Sequence, residues 1–349
     1  MDVRLSPEQH ALRDAARQVV DHLGPRTVGA LSDRERTAKL DAAVDATGWR
    51  ELRTAAEGDA PLASGVEVGI VAEELGRGVA DAAFVGPTMA AELRRLVGAP
   101  AATADETVAL LPDLSAPALT GPDGEALAGR AVAIDASDAR AALVLVPIAG
   151  RYSLASVALE GRVDEAAVVD LTRPAQALAA GFPVTPLPDQ ARPLTADALT
   201  GWTALGLAVS AADLVGTMDG VVELARAYAA ERHQYGVAVG SFQAVQHLLA
   251  DAFVAAEGSR SAALHAAWAV DALDPDEALA AAAAAKAYTT RAARDACETA
   301  IQVHGGIGNT WECLAHVHLR RALVSGNLLG DVGTNLARVL AHHGIGAGP

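Results

Sequence analysis

Glu231-Arg-His-Gln-Tyr-Gly236-Val-Ala-Val-Gly-Ser-Phe242-Gln243 sets a cation, a phenol ring, a glycine turn and an amide between two long helical patterns. About sixty residues on, Gln302-Val-His-Gly305-Gly306-Ile-Gly308 closes another long helical pattern. Arg232 follows one helix, and Phe242-Gln243 opens the next. A guanidinium there can pair with a phosphate, helped by the free N–H groups of a helix start. It can equally be a solvated arginine at a helix–helix corner, with Tyr235 and Phe242 filling the corner. In the second stretch one glycine serves as the cap that ends a helix. Gly305, Gly306 and Gly308 together exceed what a cap needs and suggest close backbone approach to something. His304 alone reads as well as a packed histidine as a catalytic one.

Around these stretches the chain has 349 residues, enough for two or three domains. Apolar residues are 51% but aromatics only 3%. Alanine carries much of that content and favours helices, because it loses no side-chain entropy in them. The net charge of −16, from 27 basic and 43 acidic residues, argues against a nucleic-acid partner, which needs a clustered basic face. Cys297 and Cys313 lack metal-ligand partners at usual spacing and fit a reducing compartment. The start, Ser6-Pro7-Glu8-Gln9, reads as a capping box rather than a secretory signal. The longest apolar runs, such as 279–285, fall short of the ~20 residues that span a bilayer. The expectation is a cytoplasmic protein with no membrane span.

Helical patterns cover 7–23, 33–47 and 66–97, with Pro87 forcing a break or kink in the last. Residues 1–105 therefore form an N-terminal helical domain. Short runs rich in valine and leucine at 107–111, 131–134, 141–146, 152–159 and 166–171 make 106–194 a small middle β domain. Helices over 195–231, 242–271, 275–304 and 311–342 make 195–349 a C-terminal four-helix bundle. The third of these starts with Asp274 as N-cap and Pro275 at the first helical position. The fold class is mostly α with a small β domain.

The ordered set of motifs resembles the acyl-CoA dehydrogenase family. Arg232, Tyr235-Gly236, Phe242-Gln243 ten residues after the arginine, and Gln302-Val-His-Gly305-Gly306 follow the pattern of that family's C-terminal bundle. Gly48-Trp49 and Glu73-Glu74-Leu75-Gly76 look like its helical domain, and the three-domain layout is similar over essentially the whole chain. The resemblance implies α,β-desaturation of an acyl-CoA thioester with FAD as hydride acceptor. It implies that Arg232, Tyr235, Phe242, Gln243, Gln302, Gly305 and Gly306 hold the ADP part of FAD across a dimer interface. An electron-transfer flavoprotein or similar acceptor, and a role in fatty acid or steroid side-chain β-oxidation, come with it.

The sequence departs from the family where the reaction takes place. Most members carry the glutamate base about nine residues after an arginine in the last helices. Nine residues on from Arg320 stands Leu329, and the alternative register on Gly333-Thr334 puts Val332 there. Asp331 is the nearby carboxylate. Other members carry the base on the first bundle helix, where this chain has Gly206 followed by Leu207, with Asp213 two turns on. The middle domain has Leu111-Pro112-Asp113-Leu114-Ser115 in place of the family's flavin-covering loop, and no tryptophan falls between Trp49 and Trp202. Some members of that family are α2β2 heterotetramers, in which a shorter, degenerate subunit pairs with a complete one. This sequence resembles the shorter subunit, partnered by a longer acyl-CoA dehydrogenase subunit. A self-sufficient homomer using Asp331 as base, and a non-enzymatic assembly subunit, are the alternatives.

Overall fold

The computed structural model describes residues 4–103, 105–159 and 169–345. Helix α1 (Pro7–Leu23) begins with the capping box: the Ser6 hydroxyl accepts from the Gln9 N–H at 3.2 Å, and the Gln9 amide oxygen accepts from the Ser6 N–H at 3.0 Å. Helix α2 (Arg34–Ala46) is capped by Asp33. The pattern expected as one broken helix over 66–97 is two helices, α3 (Gly65–Arg77) and α4 (Val85–Val97). The break lies at 78–84, not at Pro87, which sits in the first turn of α4, where a missing N–H does no harm. Val79 holds φ 41° at the turn out of α3.

Among the described residues six strands follow: β1 (Glu106–Leu110), β2 (Ala131–Ala133), β3 (Ala141–Ile148), β4 (Arg151–Ala158), β5 (Gln176–Leu178) and β6 (Thr185–Pro186). Their order is β5-β2-β1-β3-β4-β6, parallel only between β1 and β3. The two short edge strands escaped the sequence pattern. The first half of the strand expected over 166–171 lies outside the described residues, and 169–173 run as irregular chain.

Helices α5 (Ala196–Glu231), α6 (Gln243–Ala272) and α7 (Pro275–His304) match expectation closely. Asp274 is at the N-cap of α7, but its side chain makes no capping bond. The expected fourth helix is two, α8 (Ala315–Asn327) and α9 (Val332–His342), because Leu329 and Gly330 take φ of 58° and 110°. Between α5 and α6 a small hairpin pairs β7 (His233–Gln234) with β8 (Val237–Ala238), turning on Tyr235 and Gly236, both at positive φ. By length and composition α5 could cross a membrane, but 89% of its most apolar window is buried inside the protein. It is the central helix of the core. Glycine brings it close to α3: a Cβ at Gly216 would run into the backbone of Glu73 and Arg77, and one at Gly76 into that of Asp213.

Candidate functional site

The two signature stretches meet at one end of the bundle. Tyr228, in the last turn of α5, stacks on His304, the last residue of α7, with ring centroids 4.4 Å apart and planes 26° from parallel. His304 is buried, and its Nδ1 lies 2.8 Å from the Ala300 carbonyl, so it is a packed residue that joins two helix ends. Arg232 leaves α5 as its C-cap, and its exposed guanidinium has no partner among the described residues. Phe242 opens α6 without a side-chain cap. The N–H groups of Val245 and Gln246 both turn back to the Phe242 carbonyl, while those of Gln243 and Ala244 have no described acceptor. Gln243 and Gln302 are exposed. Gly305 and Gly306 are exposed too, and a Cβ on either would meet nothing within 4 Å. Gly305 holds φ 65° and ψ −144°, which excludes other residues without strain.

This end of the bundle offers a cation and, at the positive end of a 30-residue helix, two N–H groups, all three without partners among the described residues, together with two amide side chains and an open glycine surface. That is a donor set for an anionic diphosphate with a polar sugar beside it. The hairpin tip Tyr235 is 95% exposed, so the whole surface faces away from the chain's own core. FAD fits the donor set through its ADP half.

The opposite end of the chemistry is filled. Leu329 is fully buried, and a Cβ added at Gly206 would clash with its Cδ1 and stand 2.9 Å from Met89 Cε. The two positions at which the family resemblance places a base therefore touch each other, and both are apolar. The loop of 111–115 closes the same place, since the Leu329 N–H donates to the Leu114 carbonyl at 2.7 Å. Asp331, the nearby carboxylate, is engaged in a helix cap. It is the exposed N-cap of α9, accepting from the Thr334 N–H at 2.8 Å and hydroxyl at 2.7 Å. Those bonds, the hydroxyl's first, hold its carboxyl below the usual range.

Asp213, the other acid near the missing base, is locked in a buried ion cluster that the sequence did not announce. One carboxylate oxygen accepts from Arg321 Nε and Nη2 at 3.0 and 2.6 Å, and the other accepts from Ser325 at 2.6 Å. Arg173, from the irregular chain after the described gap, lies 3.5 Å from Asp213 and donates to Asp170. Burial would push the Asp213 carboxyl up, but Arg173 and then Arg321 outweigh it and hold it below its ordinary value. Arg321 also donates to the Ala80 carbonyl at 2.8 Å and the Thr172 hydroxyl at 3.0 Å, so one guanidinium ties the N-terminal helices, the segment around 172 and the bundle together. Arg320, the reference point in the sequence, faces outward to the Val169 carbonyl.

Residues 204–341 match the family model for the acyl-CoA dehydrogenase C-terminal domain. Acyl-CoA dehydrogenase FadE34 of Mycobacterium tuberculosis is 37% identical over 201 residues, covering 57% of this chain and 27% of that protein. Acyl-CoA dehydrogenase IpdE2 of Mycolicibacterium smegmatis is 34% identical over 131 residues, covering 38% of this chain and 40% of that protein. The chain thus spans well under half the length of these two relatives. Among solved structures, a chain of the ChsE4-ChsE5 complex from Mycobacterium tuberculosis superposes with a TM-score of 0.80 at 23% identity, covering 100% of both chains. The chain is thus similar in sequence to the acyl-CoA dehydrogenase C-terminal domain over residues 204–341, and over its whole length it shares the fold of a chain of the ChsE4-ChsE5 complex.

Proposed function

We propose that this chain is the base-lacking subunit of an FAD-dependent acyl-CoA dehydrogenase, supplying the ADP half of a cofactor site whose ring lies in a longer partner subunit. The observation that carries the reading is the contact of Leu329 with Gly206, which leaves no carboxylate at either position expected for the base and no room for a side chain at Gly206. The outward-facing donor set at Arg232, the α6 start and Gly305-Gly306 then has only another chain's cofactor to serve. Likeness of fold to a chain of the ChsE4-ChsE5 complex supports a heteromer.

FAD, when bound, accepts the β hydride of the acyl-CoA. This chain's residues would do three things toward that. Arg232 and the free N–H groups of Gln243 and Ala244 would neutralise the diphosphate. Gln302 and the bare backbone at Gly305-Gly306 would orient the adenosine end. The ion cluster around Asp213 would keep the supporting domains rigid.

Purification of the chain alone and with its flavin-carrying partner tests this. The chain alone is expected to be colourless and inactive, and the complex yellow and active on an acyl-CoA. Stoichiometric flavin and turnover from this chain alone would refute it.

A further inference from the structure

Of the four tryptophans, Trp49 and Trp202 are buried and Trp268 is partly buried, whereas Trp311 is 66% exposed. A ring of that size left in water is unusual, and exposed apolar surface next to a cation is the composition of interface cores. Trp311 is not loose: it meets the His316 ring edge-on at 5.2 Å. It lines a groove of about 370 Å³, with Leu319, Leu323 and Val169 as the other apolar lining and Arg320, Asn309 and His316 as the polar lining. Leu323 is itself partly open to solvent, and Ile307, four residues before Trp311, is another exposed apolar side chain. His316 is buried, and its Nε2 has no hydrogen-bond partner among the described residues.

The position of this groove says what covers it. Trp311 stands five residues beyond Gly306, in the turn just after the short helix of Gly305–Asn309 that carries the open glycine surface. Five residues of chain reach at most about 18 Å, so a subunit whose cofactor lay on Gly305-Gly306 would come close to the groove. Resting on the functional reading above, we propose that Trp311 is the anchor by which this chain seats the flavin-carrying acyl-CoA dehydrogenase subunit, with an apolar side chain of that subunit entering the groove and a carboxylate or carbonyl beside it meeting Arg320. A few buried aromatic residues carry most of the affinity of such interfaces.

A photo-crosslinking amino acid placed at 311, with the tagged chain expressed in its native host, tests the contact. Mass spectrometry is expected to find the crosslink in a flavin-carrying acyl-CoA dehydrogenase chain. Trp311→Ala and, independently, Leu323→Asp should each lower recovery of the flavin-containing complex by about tenfold or more, with the melting temperature of the isolated chain unchanged. Crosslinks only to a second copy of this chain, no crosslink, or full recovery of the complex with both variants would overturn the proposal. Arg232→Ala separates it from the cofactor reading. That variant should leave the complex assembled but poorer in flavin, so either idea can fail while the other stands.

Discussion

Leu329 occupies the space into which any side chain at Gly206 would have to grow. Both residues are fully buried, and Met89 closes the third side. Gly206→Ala is therefore expected to destabilise the chain by about 1–3 kcal/mol, the usual cost of adding volume to a packed core. Leu329→Ala should cost about 2–5 kcal/mol by leaving a cavity. The double variant should cost clearly less than the two together, because each change relieves the other. Denaturant unfolding of the four proteins checks this, and simple additivity would mean that the two positions do not share one space.

Asp331 gives a contrasting expectation. As the exposed N-cap of α9 it contributes to stability only through the bonds from Thr334. Asp331→Ala should lower stability by about 1 kcal/mol and leave turnover of an assembled complex unaltered. The folded-state carboxyl is held below its ordinary value, so the cap's contribution is present above the unfolded pKa of about 4 and fades as pH falls below it. Loss of turnover with flavin still bound would instead make Asp331 a base.

Fold class and the order of the elements were readable because alanine-rich periodicity, the capping box at Ser6 and the glycine stops are local signals. The break between α8 and α9 was not. Leucine rarely adopts positive φ, so nothing at Leu329 itself marks the turn. What permits it comes from elsewhere: Lys286 on α7 donates to the carbonyls of Gly326 and Leu328 at 3.0 Å each, Arg338 to that of Leu329, and Asn335 to those of Gly330 and Asp331. The pairing of the two motif-bearing helix ends, at Arg232 and at Gln302–Gly306, was signalled by residue types in a spacing. The ion cluster was not, because Asp213, Arg321, Arg173 and Asp170 lie on three separate segments with no common period.

Lys286 itself supports a pH prediction. Burial, and next the charge of Arg338, push its ammonium down to about 7. Between that value and the ordinary 10.5 the unfolded chain binds more protons at this site than the folded one. Stability should therefore rise with pH across that window, by at most about 1.4 kcal/mol per unit from this group. Lys286→Met should remove that slope, and should also lower stability at neutral pH by leaving two buried carbonyls without donors. Unfolding free energies of both proteins from pH 6 to 10 measure the difference. An unchanged slope would mean that the lysine is charged throughout.

Arg232 separates function from stability most cleanly. Its guanidinium is exposed and has no described partner, so Arg232→Ala should leave the chain's unfolding free energy within about 0.5 kcal/mol of the original. Its expected effect lies wholly in the complex, where one charge-assisted contact to a diphosphate is lost. Such contacts are roughly twice as strong as neutral ones, so flavin affinity should fall by about tenfold or more, and by less at high salt, where the charge is already screened. Arg232→Lys keeps the charge but loses the planar fork and should fall between the two. Flavin titration of the apo-complex, followed by protein fluorescence, gives the affinities directly. Equal flavin affinity in all three proteins would remove Arg232 from the cofactor site and return it to a solvated corner between two helices.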